Sequence, residues 1–367
     1  MIPSQRIKKI FSQSSDDIDV IVIKNASSPF IDSTFFYATG LTKGLFEGCT
    51  ALLFPSGELK LLVSSLEQPL VPESIDSISY SSRTDYSDQL QEILSDCKNI
   101  GVNASSLIYD DYLELKKIFP NHDFSSISSA IRISRMIKDM DEITHIRKAC
   151  QIADKVMAEI PSFFTSSLTE NQLASEIEYH LKKYGASAPA FETISSFGSN
   201  TAKPHYSSGE RTIKQGDFII CDFGATVNHY HSDITRTFVY GSASELQKKI
   251  HKTVLDAQEQ ALQTIKPDIA ANTIHHMAKQ IIDESEFKGF FIHSTGHSLG
   301  LDVHDPGIGF SDSFESPLRP GMVLTVEPGI YIPDVGGVRI EDDILVTPEG
   351  YMQLTSSAKN LIEIPIK

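Results

Sequence analysis

Residues 218–237, FIICDFGATVNHYHSDITRT, set a carboxylate inside a run that otherwise reads as buried strand. An ionised Asp222 beside Phe218, Ile219, Ile220 and Cys221 is costly to bury unless a cation or strong donors meet it. Asp233 follows eleven residues later, beyond a short polar turn. Two carboxylates brought together repel each other unless they share a positive charge. Facing residues of an antiparallel hairpin have a constant index sum. A turn centred on Val227 and Asn228 therefore sets Asp222 directly opposite Asp233, and one centred on Asn228 and His229 makes them diagonal neighbours on one face. A one-residue slip would put them on opposite faces. A second stretch repeats the device. Glu327 lies in VLTVEPGIYI and Glu341 in GVRIEDDILV, and a turn centred on Asp334 sets the two opposite each other.

Histidines lie around these pairs. HSTGHSLGLDVHD carries His293, His297 and His304, and Lys203-Pro204-His205-Tyr206 places another on an X-Pro loop. Four carboxylates with one or two imidazoles suit two hard divalent metals better than a cysteine-rich zinc site. Metals about 3.5–4 Å apart are a known device for activating water and clamping a reacting oxygen. Each piece alone has a plainer reading. Asp222 could be met by Arg236, a loop histidine is usually surface, and Glu341-Asp342-Asp343 could be an exposed acidic turn. Two separate hairpins that each centre a carboxylate pair favour a dimetal site.

The rest of the chain bounds the setting. With 367 residues, two domains are expected, with a boundary near 132: an N-terminal α/β domain over 1–132 and a catalytic domain over 133–367. A net charge of −16 argues against a nucleic-acid or anionic-membrane surface. Cys49, Cys97, Cys150 and Cys221 are scattered without a CxxC, as suits a reducing cytosol, so a cytoplasmic location is expected. MIPSQRIKKIF has no apolar run long enough for a signal peptide, and no stretch approaches the ~18 apolar residues of a membrane span. In the first third, residues 18–23 read as a strand, 50–63 as a hairpin, 87–97 as a helix, 99–102 as a strand and 110–119 as a helix. Beyond the boundary a long helix stops at Pro161, and a T-x-x-Q capping box at Thr169 opens another that Gly185 closes. Helices over about 244–265 and 272–286 precede strands over 322–332 and 338–346. A helix pair followed by strands, twice, suggests two similar halves facing each other.

PHY (204–206), DFGATVNHYHSDITRT (222–237), GHSLGLDVHD (296–305), TVEPGIY (325–331) and GVRIED (337–342) together resemble the signature of the pita-bread metallopeptidases, in the prolidase and aminopeptidase P branch. The resemblance is dense from about 141 onward. It is weaker over the first third, which is similar to that branch's creatinase-like N-terminal α/β domain. It implies a pseudo-symmetric pita-bread catalytic domain. It also implies two divalent ions (manganese, cobalt, zinc or iron, with manganese favoured) and hydrolysis of the Xaa-Pro imide bond of short proline-containing peptides. By the same resemblance Asp222 would chelate one metal, Asp233 and Glu341 would bridge both, and His297 and Glu327 would complete the second. A bridging water would attack the scissile carbonyl with Glu327 as general base. His205 and His304 would bind substrate and stabilise the oxyanion, and Arg339 would stand at the substrate end of the site. The N-terminal domain in this branch packs between subunits and helps close the site, so a homodimer is expected.

One departure bears on substrate length. Dipeptide-specific relatives follow the second histidine with a motif ending in an arginine that would hold the proline carboxylate. Here His304-Asp305-Pro306-Gly307-Ile308 puts Ile308 at that position. Tolerance of tripeptides is therefore expected, and Ile308→Arg should shift preference toward dipeptides. The alternatives on the same fold are a metal-free, creatinase-like C–N hydrolase and an inactive binding module, neither of which needs all five metal positions filled.

Overall fold

The structure is a computed structural model that describes residues 2–14 and 17–366, and it divides into two compact units, 1–135 and 136–367. The first unit is built on a six-stranded sheet. Its strands are β1 (Val20–Lys24), β2 (Thr50–Leu53), β3 (Leu59–Ser64), β4 (Asp76–Tyr80), β5 (Asn99–Val102) and β6 (Asp123–Ser126), in the order β4-β3-β2-β1-β5-β6. The run VIVIK is buried along its whole length, which suits the inner strand β1. Helices α1 (Ile2–Gln13), α2 (Ser33–Thr39), α3 (Arg83–Ile93), α4 (Tyr109–Ile118) and α5 (Ser128–Met136) complete the α/β order. The helix expected over 87–97 begins earlier. Ser82 caps it by accepting the Asp85 N–H, which gives the first turn a better start than Ser87 offers.

The second unit opens with α6 (Met140–Phe163), capped by a reciprocal Asp139–Glu142 box, and α7 (Glu170–Lys183), capped by the expected Thr169–Gln172 box. Pro161 does not stop α6. It lies inside the last turn, and the helix runs two residues further before Phe164 turns extended. Strands β7 (Ala188–Pro189), β8 (Ile194–Phe197), β9 (Phe218–Phe223), β10 (Ala225–Val227), β11 (Tyr230–His231) and β12 (Ile234–Tyr240) follow. Helices α8 (Glu245–Thr264) and α9 (Ala271–Asp283) come next. Then come β13 (Gly296–His297), β14 (Gly309–Phe310), β15 (Val323–Val326), β16 (Gly329–Ile332), β17 (Gly336–Arg339), β18 (Asp342–Thr347), β19 (Gly350–Gln353) and β20 (Ile362–Ile364).

Two half-cores match the two similar halves expected from the order of elements. Val156, Ile160, Leu173 and Ile177 of α6 and α7 pack with Ile219, Cys221 and Phe238 of the β20-β12-β9-β8 sheet. Ile250, Val254, Ala257 and Ala261 of α8, with Ile274 and Ala278 of α9, pack against Leu324, Val326 and Ile344 of the β15-β18-β19 sheet. Both helix sets repeat at three- and four-residue spacing, so each presents one apolar stripe to its own sheet. Among the described residues no helix is long and apolar enough to cross a membrane.

The two hairpins have the anticipated registers. Val227 pairs with Tyr230 and Asp222 with Thr235, so the first turn is centred on Asn228 and His229. Both turn residues have positive φ, 50° and 69°, as a two-residue type I′ turn requires. Asp222 and Asp233 are thus diagonal neighbours on one face. In the second hairpin Val326 pairs with Asp342 and Gly329 with Arg339, which sets Glu327 across from Glu341 about Asp334. The strands expected as continuous over 322–332 and 338–346 are each broken at this point. Pro328 has no N–H to give the ladder, so pairing lapses where the two glutamates sit.

Candidate metal centre

The two hairpins gather acidic side chains in a cleft of about 490 Å³. Asp222, Asp233, His297, Glu327 and Glu341 all line it, together with His205, His293, His304 and Arg339. Ligand atoms of Asp233, His297 and Glu341 lie within 4.8 Å of one another. His297 Nε2 is 3.7 Å from Asp233 Oδ2 and 3.5 Å from Glu327 Oε1. The other ring nitrogen, Nδ1, faces the Ser298 carbonyl at 3.2 Å, which leaves Nε2 unprotonated and turned to the carboxylates. The exposed His205 and His304 stand on the wall above, the His304 ring 4.3 Å from that of His297.

The acidic residues are held from behind. Thr235 Oγ1 donates to Glu341 Oε2 at 2.6 Å, and Thr325 Oγ1 lies 3.4 Å from Glu327 Oε1. The Asp233 N–H donates to Asp343 Oδ2 at 2.8 Å, and the Cys150 thiol donates to the same oxygen. Arg339 meets Asp222 Oδ2 at 2.5 Å and also donates to Thr235 Oγ1 and the Tyr331 hydroxyl. The Tyr331 hydroxyl in turn meets His293 Nε2 at 2.8 Å. Burial pushes the Asp233 and Glu341 carboxyls well above the ordinary range, and repulsion from neighbouring carboxylates adds to it. Glu327 is pushed up to about 7, again by burial first, with Arg339 opposing.

A divalent pair fits this donor set. Oδ1 of Asp222 and Oδ1 of Asp233 are buried without a hydrogen-bond partner among the described residues, and buried carboxylate oxygens left this way are expensive. Four carboxylates share one guanidinium, and the donors are oxygens and an imidazole with no thiolate among the lining residues. That is the chemistry of hard or borderline divalent ions.

Two plainer readings of single residues fail. Arg236 does not meet Asp222. It lies on the opposite face of β12 and pairs with Asp342 at 2.7 Å, while Arg339 takes Asp222. Glu341-Asp342-Asp343 is no exposed turn, since all three are buried. Ile308 also departs from expectation. Its side chain is buried in the α8/α9 half-core, its backbone is bonded twice to Ser298 Oγ, and it does not line the cleft. An arginine there would be driven into apolar packing, so the inference from Ile308 to substrate length does not hold. Thr235 and Tyr331 fall inside the stretches that carry the resemblance and Asp343 just beyond one, yet the sequence alone assigns none of the three a role. Strand alternation around Asp233 and Glu341 is the signal that places Thr235 and Asp343 beside them.

Residues 144–348 match the metallopeptidase family M24 and residues 5–137 the creatinase/prolidase N-terminal domain. The chain belongs to the M24 metallopeptidases. It is 38% identical over 364 residues, 98% of this chain and 99% of the other, to a Xaa-Pro dipeptidase of Pyrococcus horikoshii. A crystal structure of the prolidase from Pyrococcus horikoshii OT3 superposes with a TM-score of 0.88 at 36% identity, covering 98% of this chain and 99% of that one. An X-Pro aminopeptidase from Thermotoga maritima also gives 0.88, at 30% identity over 94% of this chain and 97% of that one. This M24 enzyme therefore has relatives named Xaa-Pro dipeptidase and X-Pro aminopeptidase. Membership of the family implies divalent metal ions.

Proposed function

We propose that this M24 enzyme is a dinuclear exopeptidase that hydrolyses the Xaa-Pro bond of dipeptides or short peptides. One observation carries the reading: the two hairpins bring Asp222, Asp233, Glu327 and Glu341 together with His297 in a single cleft. Asp222, Asp233, His297, Glu327 and Glu341 would hold two divalent ions, with manganese favoured. Bound there, the ions would supply Lewis acidity and a nucleophile from water at neutral pH. Glu327 would act as general base and return the proton to the departing proline nitrogen, since its carboxylate lines the cleft beside His297. His205 and His304, on the cleft wall, would bind the peptide and donate to the oxyanion. Arg339 would hold Asp222 in place and face the substrate end of the cleft. Proline in the leaving position has no N–H, so recognition would rest on ring shape, for which Phe191, Ile194 and Val303 offer apolar wall. Assembly as a homodimer through the N-terminal unit and a cytoplasmic location belong to the same reading.

The test is hydrolysis of Ala-Pro, Ala-Pro-Ala and Met-Ala-Ala after incubation with manganese or cobalt, with mass measured by light scattering. The proposal expects cleavage of the two proline substrates and not of Met-Ala-Ala. No proline-dependent cleavage with either metal would sink it.

A further inference from the structure

Glu170 is the first residue of α7 and is wholly buried, yet among the described residues no cation pairs with it. A buried carboxylate without a counter-ion is tolerated only where donors surround it. Here four do. Oε1 accepts from the Phe197 N–H at 2.8 Å and from Asn200 Nδ2 at 3.0 Å. Oε2 accepts from the Tyr206 hydroxyl at 2.9 Å and from the Gly209 N–H at 3.2 Å. The helix N-terminus adds its own preference for negative charge.

All four donors belong to one segment, residues 197–209, and that segment carries His205 to the cleft wall. Its far end is fastened to the same helix start: the Asn171 N–H donates to the Gly209 carbonyl and the Glu170 N–H to the Arg211 carbonyl. Asn200 Nδ2 also donates to the Tyr206 hydroxyl at 2.9 Å, so the donors brace one another. Tyr206 lines the cleft beside His205, but its hydroxyl is committed to Glu170. His205 has no comparable anchor of its own among the described residues. It is exposed, and the backbone that presents it is shaped around a carboxylate it never touches.

We propose that Glu170 is a positioning residue that sets the His205 imidazole at the cleft wall. The inference rests on the role given to His205 above. An amide in place of Glu170 keeps the volume but offers one acceptor oxygen to donors that now meet two. Segment 197–209 then loses its single arrangement, and misplacement of a catalytic group by about an ångström can lower a rate about a hundredfold.

The test compares Glu170→Gln, Tyr206→Phe, His205→Ala and the Glu170→Gln/His205→Ala double variant, each loaded with manganese, on Ala-Pro. Glu170→Gln should lower kcat and kcat/KM together by about ten- to a hundredfold with bound metal unchanged, the pattern of a lost transition-state contact. Tyr206→Phe, which removes one donor of four, should fall several-fold, about three to ten. Adding Glu170→Gln to His205→Ala should change kcat less than about twofold, because the route through His205 is already gone. A merely structural role would lower both backgrounds equally. The second readout needs no metal or substrate. The His205 imidazole signals in a 1H–15N spectrum of the metal-free protein should be single in the unmodified chain and shifted or broadened in Glu170→Gln. An unmoved His205 signal, or an undiminished rate effect in the His205→Ala background, overturns the proposal. If Glu170→Gln fails to fold, Tyr206→Phe carries both readouts with the same signs. If the unmodified enzyme cleaves no Xaa-Pro peptide, the functional reading fails while the imidazole signals still decide the positioning.

Discussion

Replacing Asp233 by asparagine should change stability in opposite directions with and without divalent ions. Ligand atoms of Asp233 and Glu341 lie within 4.8 Å of each other. Two unit charges at that distance repel by about 3.5 kcal/mol at an effective dielectric constant near 20. Burial raises both carboxyls, so protonation relieves part of the repulsion, and about 2 kcal/mol is a reasonable remainder near neutral pH. The amide of the variant would keep the shape, remove the charge and stand where it can donate to Glu341. The metal-free variant should therefore be the more stable protein, by about 2 kcal/mol, or about 4–8 °C in Tm for a unit of this size.

With metal the order reverses. Saturation at a hundred times Kd adds about 2.7 kcal/mol to the native enzyme by mass action. The variant, having lost a ligand of the centre, should gain little of this. The assay is thermal unfolding of both proteins after exhaustive chelation and again with excess manganese, with activity on Ala-Pro measured in parallel. An Asp233→Asn protein less stable than the native one without metal would refute the electrostatic argument. An equal stabilisation of both proteins by manganese would refute the place of Asp233 in the centre.

Other substitutions test separate steps. Glu327→Gln should lower kcat by more than it lowers bound manganese, so a loss of rate in strict proportion to metal content would leave the base assignment unsupported. Lys138 Nζ and Asp305 Oδ2 form a 3.0 Å ion pair with both side chains 1% exposed, so Lys138→Met should lose about 3–5 kcal/mol in urea denaturation, and a loss below about 1 would contradict the buried-pair account. His251 is buried, and desolvation holds its pKa down to about 4 from 6.5. Its neutral form stabilises the fold above pH 6.5, and that contribution fades as pH falls toward 4, reaching roughly 3 kcal/mol at most. The stability difference between native protein and His251→Gln should shrink over that window, and a difference constant from pH 7 to 4 would be the contrary result.

How much of the site could be read from the sequence depends on what strand geometry alone determines. Two-residue periodicity and a turn at Asn228-His229 fix the face shared by Asp222 and Asp233, and the turn about Asp334 does the same for Glu327 and Glu341. The same periodicity settles Arg236. In either anticipated register it falls on the face opposite Asp222, which leaves Arg339, paired with Gly329 at the far side of the break, as the guanidinium within reach. The breaks themselves are less legible, because apolar composition continues through both strands. Their signal is Pro328, whose missing N–H ends the ladder beside Glu327. Ile308 shows where linear proximity gives out. It follows the exposed His304 by four residues, yet the loop folds back so that Ser298 Oγ binds its N–H and carbonyl and its side chain turns into the half-core. No periodicity governs a loop of that kind. The anchor that holds a substrate's carboxylate, and with it the choice between dipeptide and longer peptide, therefore has to be sought among side chains that line the cleft. Among the described lining residues Arg339 is the one arginine or lysine, and its guanidinium is already engaged with Asp222, Thr235 and Tyr331. A free proline carboxylate would have to compete with Asp222 for it or rely on His205, His293 and His304. That competition weakens any dipeptide preference that rests on Arg339 alone.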